Sequence, residues 1–445
     1  MTLDFEHLTC ATQGNARRFR ISSRVRTIVA MRATTLVRSG LIAVGLLALV
    51  GCRPVLVNVP ESGHGQVGTG VFEPPAISDS GRAIAFVTSD YLTADDHDGT
   101  WDVYVRDTRR RHTALMSVSP NGDQDYCGSN SPQVSGDGRY VAYSGCAEPP
   151  VVPPPPGTVA TKIYVKDRTT GALEHVGIRE EAGIQGGGFQ LLDYDASHVV
   201  FWCFPSPEFT VSVCVQDRHT GNTTLVSVAT DGQTVDGFPV PASISDDGRL
   251  VAFTAPFAAV VPGSTDTRRQ LFVRDVAAGA TSAVVIDATV LPGDLDGRLS
   301  GDGTAAVVWQ TAPPYHVVHK DLITGAVQRV DQAASDVVTS PTTYGFARIS
   351  DDGDVVAFQS SSDTLVPHDM NHHDDVFVWR IQVPSILQRV SVGPGLREGD
   401  GDSYWPALSG DGTSVAFVSE ATNLVRDDTN GAPDVFVVKL GPRLP

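Results

Sequence analysis

The sequence predicts an all-β protein, a ring of seven four-stranded antiparallel blades. Three observations lead there. Glycine (43) and proline (29) are numerous and spread along the 445 residues, which favours many short elements joined by turns. After residue 52, short runs of β-branched and aromatic residues take the place of any sustained helical spacing. Above all, one unit of roughly fifty-five residues recurs seven times along the chain.

Each unit opens on a Ser-x-Asp-Gly turn. The seven copies are Ser78-Asp79-Ser80-Gly81, Ser135-Gly136-Asp137-Gly138, Asp193-Tyr194-Asp195-Ala196, Ser245-Asp246-Asp247-Gly248, Ser300-Gly301-Asp302-Gly303, Ser350-Asp351-Asp352-Gly353 and Ser409-Gly410-Asp411-Gly412. Asp and Gly supply the positive-φ positions of a tight hairpin, and Ser bonds the turn backbone. With seven copies in one chain, the motif reads as structural, not catalytic. A strand follows, with an apolar residue at Phe86, Tyr143, Phe201, Phe253, Val308, Phe358 and Phe417; the third and fifth copies are degenerate.

A second strand comes next in every copy, from Val103-Tyr104-Val105 to Val435-Phe436-Val437, and in five copies a polar residue and Asp end it, as in Arg106-Asp107. A third strand follows, as in Leu225-Val226-Ser227-Val228. With the short strand before each turn, this makes four strands per unit. One such sheet cannot cover both of its faces, so the units stack radially into a seven-bladed β-propeller. The last copy stops after Val435–Val438, and Leu56-Val57-Asn58-Val59 reads like the missing outer strand. Residues 55–59 are therefore expected to complete blade seven, which would also remove an exposed edge.

The units, of the form Pro-x-x-Ser-x-Asp-Gly-x-x-Val-Ala-Phe … Asp-Val-Phe-Val-x-Asp … Thr-Gly … Val-Ser-Val, resemble the WD40-like PD40 repeat of TolB-type propellers over about residues 55–440. In TolB an α/β domain precedes the propeller and contacts envelope proteins; the stretch between Cys52 and Ser78 is too short for one. In prolyl oligopeptidase relatives a similar propeller gates a hydrolase domain, and no such domain follows here. The resemblance implies a binding scaffold.

The first 52 residues read as a leader, with Met31 as the expected true start. Arg32 and Arg38 precede an apolar run from Leu41 to Val50, too short to span a bilayer, and Leu49-Val50-Gly51-Cys52 resembles a bacterial lipobox. The resemblance implies cleavage before Cys52 and lipid on its thiol. Residues 53–445 would then form one extracytoplasmic domain held at the membrane by acyl chains. They carry 26 basic and 49 acidic groups, a net of −23 that argues against nucleic acid as a partner.

Three units carry an acidic loop between their second and third strands: Asp96, Asp98 and Asp102; Asp369, Asn371 and Asp375; Asp428, Asn430 and Asp434. Oxygen donors at this spacing resemble the start of calcium loops; the alternative is Asx turns that tie the loop down. His372-His373 lies in the second loop and reads as solvated. Cys127 with Cys146, and Cys203 with Cys214, flank hairpin turns and are expected to form two cross-strand disulfides; four free thiols are the alternative. The tract Pro149–Pro156 reads as polyproline II, a docking segment or a spacer.

No Gly-x-Ser-x-Gly elbow, His-Glu-x-x-His or phosphate loop appears. The expectation is a monomeric, non-catalytic envelope lipoprotein that needs no cofactor, calcium aside, and docks an envelope protein or peptide. The competing expectation is a propeller hydrolase or lyase acting on an extracellular glycan or peptide. Convergent carboxylates or histidines with shifted titration at the channel would mark the second.

Overall fold

The structure is a computed structural model that describes residues 53–60, 68, 70–119, 121–124, 128–145, 162–177, 184–186, 190–205, 211–312, 315–331, 347–381, 386–426 and 428–441. Alternating short strands and tight turns give seven antiparallel blades, and Val392–Gly393 pairs with Arg397–Glu398 in a separate two-stranded ribbon. Blade one runs Ala76–Ile77, Ala83–Thr88, Asp102–Asp107 and His112–Leu115, each strand paired with the next. The same order repeats in blades two, four, five and six; in blade three both Ile184–Gly186 and Leu191–Leu192 pair with His198–Pro205, which makes five strands. Blade five, for example, runs Leu295–Leu299, Ala305–Gln310, Val317–Asp321 and Val327–Arg329. In blade seven, Ser403–Leu408, Ser414–Ser419 and Asp434–Lys439 are joined by Val55–Leu56, antiparallel, with Val55 opposite Val437 and Leu56 opposite Phe436. Among the described residues one helical turn, Phe257–Val260, interrupts the β architecture.

The turn chemistry works as the motif requires. In six copies the Ser Oγ accepts the N–H five residues on, as from Leu250 to Ser245 at 2.9 Å and from Val355 to Ser350 at 3.0 Å. The motif Gly takes a left-handed φ, for instance 73° at Gly138 and 77° at Gly353. In degenerate blade three, Ala196 is forced to a φ of 56°, and Asp193 replaces Ser by accepting the His198 N–H at 3.0 Å.

Burial lies between blades. Each apolar cluster joins neighbours: Phe86 and Tyr104 of blade one pack with Val418 and Val435 of blade seven, and Phe253 of blade four packs with Val200 and Val213 of blade three. Five blades set an aromatic pair across their two middle strands: Phe86–Tyr104, Tyr143–Tyr164, Phe253–Phe272, Phe358–Phe377 and Phe417–Phe436, with centroids 5.6–6.0 Å apart. Blade three opposes Phe201 to Cys214 instead, and there a disulfide links Cys203 to Cys214, both buried. The covalent brace stands in the blade that lacks the second ring. Cys52, Cys127, Cys146 and Pro149–Pro156 lie outside the described residues.

Candidate active site in the central channel

The first strands of all seven blades neighbour one another in a closed circuit and line a channel. Their Ser-x-Asp-Gly turns form one mouth; the loops between second and third strands lie at the other.

At the turn-side mouth, main-chain bonds run once around the ring. Asp79 N–H donates to Gly136 O at 3.0 Å, Asp137 to Tyr194 at 2.9 Å, Tyr194 to Asp246 at 3.4 Å and Asp246 to Gly301 at 2.8 Å. Asp302 then donates to Asp351 at 2.9 Å, Asp351 to Gly410 at 2.9 Å and Asp411 to Asp79 at 3.0 Å. The variable second residue of the turn therefore lies against its neighbour in the next blade. Around the ring it reads Asp79, Gly136, Tyr194, Asp246, Gly301, Asp351, Gly410. Each Asp leans over the following Gly: a Cβ on Gly136, Gly301 or Gly410 would fall 2.4, 2.4 or 2.0 Å from a carboxyl oxygen of Asp79, Asp246 or Asp351. The three carboxyls also oppose one another electrostatically. Burial, followed by repulsion from Asp246, Asp411 and Asp137, raises Asp79 to about 7. Burial, with Asp79 and Asp246 next, raises Asp351 to about 8. Asp246 is raised chiefly by burial. Burial and mutual repulsion thus favour the protonated form of all three.

The loop-side half holds Glu73, raised by burial and accepting the Ser131 N–H at 2.6 Å. Asp296, Arg298 and Arg348 stand on the inner strands of blades five and six, the two arginines two residues before their turn serines.

The acidic loops differ from one another. Carboxylate oxygens of Asp96, Asp98 and Asp102 lie within 4.8 Å of one another. In blade six, Arg389 Nη1 donates to Asp369 Oδ1 at 2.7 Å and to Asp375 Oδ2 at 2.9 Å, so a guanidinium already bridges that pair. In blade seven, Asp434 Oδ1 accepts Asn58 Nδ2 at 2.5 Å and Asn430 Nδ2 at 3.2 Å. Asx bonding is present too, as from Thr100 N–H to Asp98 at 2.8 Å. His372 and His373 turn to different carboxylates, Asp363 at 2.6 Å and Asp402 at 2.8 Å, and do not converge.

Asp79, Asp246, Asp351 and the channel arginines were not singled out from the sequence. The available signal was the Asp/Gly alternation at the variable turn position, together with charged residues inside the short first strands of blades five and six.

No protein-family description matches this chain, and no curated protein does. Solved structures match. Oligogalacturonate lyase from Vibrio parahaemolyticus aligns with a TM-score of 0.51 and 14% identity, over 88% of this chain and 98% of that one. A prolyl endopeptidase aligns at 0.51 and 14%, over 84% of this chain but 51% of that one, so the match spans about half the endopeptidase. The propeller domain of the trilobed protease from Pyrococcus furiosus aligns at 0.51 and 11%, over 85% and 97%. At these identities the likeness is one of fold. The chain is a seven-bladed β-propeller, as its repeats indicate.

The expectation of a non-catalytic chain is corrected here. Two of these neighbours are enzymes by name, and carboxyls with shifted titration stand around the turn-side mouth. Sequence motifs missed them because each blade contributes a single residue to the ring.

Proposed function

We propose that the chain is an extracytoplasmic propeller enzyme, a hydrolase or lyase that acts on an extracellular glycan or peptide in the channel. The observation that carries this reading is the triad Asp79, Asp246 and Asp351. A protonated carboxyl near neutral pH donates a proton to a leaving group, and its ionised neighbour accepts one. The lyase neighbour, aligned over nearly its whole chain, acts by its name on oligogalacturonate and has also been solved with manganese. In this chain the Asp96, Asp98 and Asp102 loop offers oxygen donors suited to a hard divalent cation, calcium by preference. That loop lies toward the opposite mouth from the triad, so no proton step is routed through it.

The reading includes anchoring through Cys52, supported by the basic and apolar run before it; among the described residues no helix is long and apolar enough to cross a membrane. Labelled palmitate incorporated by the native chain and lost in Cys52→Ser tests the anchor, and crosslinking in intact envelopes tests for an envelope protein partner. Activity is tested on a panel of uronate polymers, neutral glycans and peptides, reading new C=C absorbance for a lyase and new termini for a hydrolase. Turnover that falls by about a hundredfold or more in Asp79→Asn and Asp351→Asn is expected. Equal turnover in those variants, or none on any polymer, overturns the reading.

A further inference from the structure

Blade three departs from the repeat throughout one turn. Asp193 stands where six copies have Ser, Tyr194 where the others have Asp or Gly, and Ala196, at a φ of 56°, where they have Gly. The second strand then opens on His198. The residues in that last place elsewhere are Ala83, Tyr140, Leu250, Ala305, Val355 and Ser414, so blade three alone puts an imidazole there.

Asp193 does more than the Ser it replaces. Its Oδ1 accepts the His198 N–H at 3.0 Å, the turn bond that Ser makes elsewhere. A carboxylate has a second oxygen, and Oδ2 accepts Ser197 Oγ at 2.8 Å and lies 2.7 Å from His198 Nδ1. Ser197 Oγ is also 3.0 Å from Nδ1. The protons of this cluster have one consistent arrangement. A bare Nδ1 would turn its lone pair on a carboxylate oxygen, so Nδ1 carries the proton and donates it to Oδ2, as the Ser197 hydroxyl does. That tautomer leaves Nε2 as the acceptor of the ring. The Asp193 side chain is fully buried, that of His198 is 28% exposed, and among the described residues Nε2 makes no hydrogen bond. Ser197 and Asp193 meet the same nitrogen, so the three side chains do not form a nucleophile triad, in which Ser would face Nε2.

The imidazole stands beside the carboxyl ring. It packs over the turn of blade four, where a Cβ on Gly248 would collide with Nδ1. Asp246 of the ring lies two residues earlier in that turn, and Asp193 is one of the charges that act on it. The other charged groups around His198 are Asp217, opposite it in register, Asp195 in its own turn and Asp247 on the blade-four turn. Arg218, whose N–H bonds Ser197 O at 2.8 Å, is paired with Glu174, and His219 follows it.

We infer that His198, oriented by Asp193, is the proton acceptor of the turn-side site. This rests on the enzyme reading and deepens it. The ring carboxyls favour their protonated form and serve best as donors; an imidazole outside the ring accepts a proton without adding to their repulsion. In hydrolysis Nε2 takes a proton from the attacking water as its oxygen bonds the substrate carbon, and a ring carboxyl protonates the leaving atom as the old bond breaks. In elimination Nε2 takes the proton of an acidic C–H, the C=C bond forms, and the leaving oxygen departs with a ring proton. Either route takes up one proton and gives one back, with no redox partner. Asp193 is a positioning residue.

The test is turnover of the polymer panel by the native chain and by His198→Ala, Asp193→Asn and Asp193→Ser, each with and without free imidazole. In His198→Ala, kcat is expected to fall by about a hundredfold or more with KM little changed, and free imidazole to restore part of it. Asp193→Asn keeps an acceptor for the backbone but offers an amide N–H to Nδ1, which selects the wrong tautomer and should also cost at least about a hundredfold. Asp193→Ser restores the turn of the other six blades, so a loss of kcat there with unchanged melting supports orientation over folding. Turnover that survives His198→Ala overturns the inference and leaves the enzyme reading standing. Turnover that survives both Asp193 variants removes Asp193 from it. No turnover by the native chain on any polymer overturns the enzyme reading and the inference with it. Nitrogen-15 spectra of the histidine-labelled chain, with His198→Ala for assignment, give a readout besides activity: a neutral His198 ring protonated at Nε2 overturns the inference whatever the turnover.

Discussion

Asn58 and Asp434, 376 residues apart, meet in the interior of blade seven: Asn58 Nδ2 donates to Asp434 Oδ1 at 2.5 Å. Asn58 Oδ1 also accepts the Val435 N–H at 2.9 Å, and both side chains are fully buried. The corresponding outer-strand residue in blade one is Ser117, bonded to Asp102 at 2.5 Å, and in blade six Ser391, bonded to Asp375 at 2.5 Å. The N-terminal segment thus occupies the position that an outer strand holds elsewhere. Asn58→Ala is expected to cost about 2 kcal/mol, because it leaves a buried carboxylate and an N–H without this partner. Deleting residues 55–59 should cost more and unfold blade seven first. Thermal melts together with hydrogen exchange on Asp434–Lys439 check this; unchanged melting would remove the N-terminal strand from any role in closing the ring.

Arg389 predicts a different response. Its side chain is 8% exposed, against 2% for Asp369 and 1% for Asp375, so the pair of ion bridges is a buried one. Arg389 sits opposite Phe377; the residues in register opposite Tyr104 and Phe436 are Leu115 and Leu56. Arg389→Leu should therefore cost about 3–5 kcal/mol, the usual penalty for stranding buried carboxylates. Calcium should restore part of that loss, and chelator should leave it in full. The native chain should gain stability from calcium through blade one alone, a gain abolished by Asp96→Asn. A calcium response in the native chain that survives Asp96→Asn would refute the assignment to blade one.

Much of the fold was legible because turn chemistry repeats. Ser, Asp and Gly at fixed offsets require one backbone shape, and seven copies leave little choice of architecture. The degenerate third copy was legible as degenerate, and so was its Cys203–Cys214 bond; that Asp193 takes over the role of Ser, and that the bond stands where other blades have a second ring, appear only once strands are in register. The site was far less legible. Asp79 and Asp351 stand 272 positions apart in sequence and come within electrostatic reach of each other only because the ring closes. Whether a charge on an inner strand, such as Arg298, faces the channel depends on one residue of register. The acidic loops look alike as strings and differ in space because a residue on the neighbouring strand, Arg389 or Leu115, decides what fills them.

The disulfide predicts a local dependence on redox state. Cys203 and Cys214 close a short loop, which in the chain-entropy account contributes about 3 kcal/mol. Converting both to Ala should lower the melting temperature by several degrees and should loosen blade three in hydrogen exchange more than blades with an aromatic pair. Cys214→Phe with Cys203→Ala, which supplies the missing ring, should recover part of the loss. Melting that is identical in oxidised, reduced and doubly substituted protein would show that the bond carries no stability.

The carboxyl ring predicts how stability changes with pH. Asp79 and Asp351 have folded values of about 7 and 8, raised from 3.8. Between the unfolded and folded values the native state therefore binds more protons than the unfolded chain, and stability falls as pH rises through that window. Their contribution is fully present below about pH 4 and lost above about pH 8. Asp79→Asn and Asp351→Asn remove the repulsion, so each should stabilise the protein at pH 8 and do little at pH 4, while abolishing turnover. Gly410→Ala offers a separate handle: its new Cβ would fall 2.0 Å from Asp351 Oδ2 and must push that flexible carboxyl aside. Activity should drop with little change in melting, since only a side-chain end has to move. Should the Asn variants instead destabilise at pH 8, the three carboxyls would be bonded ions, not protons in store, and their role as acid and base would fall with that result.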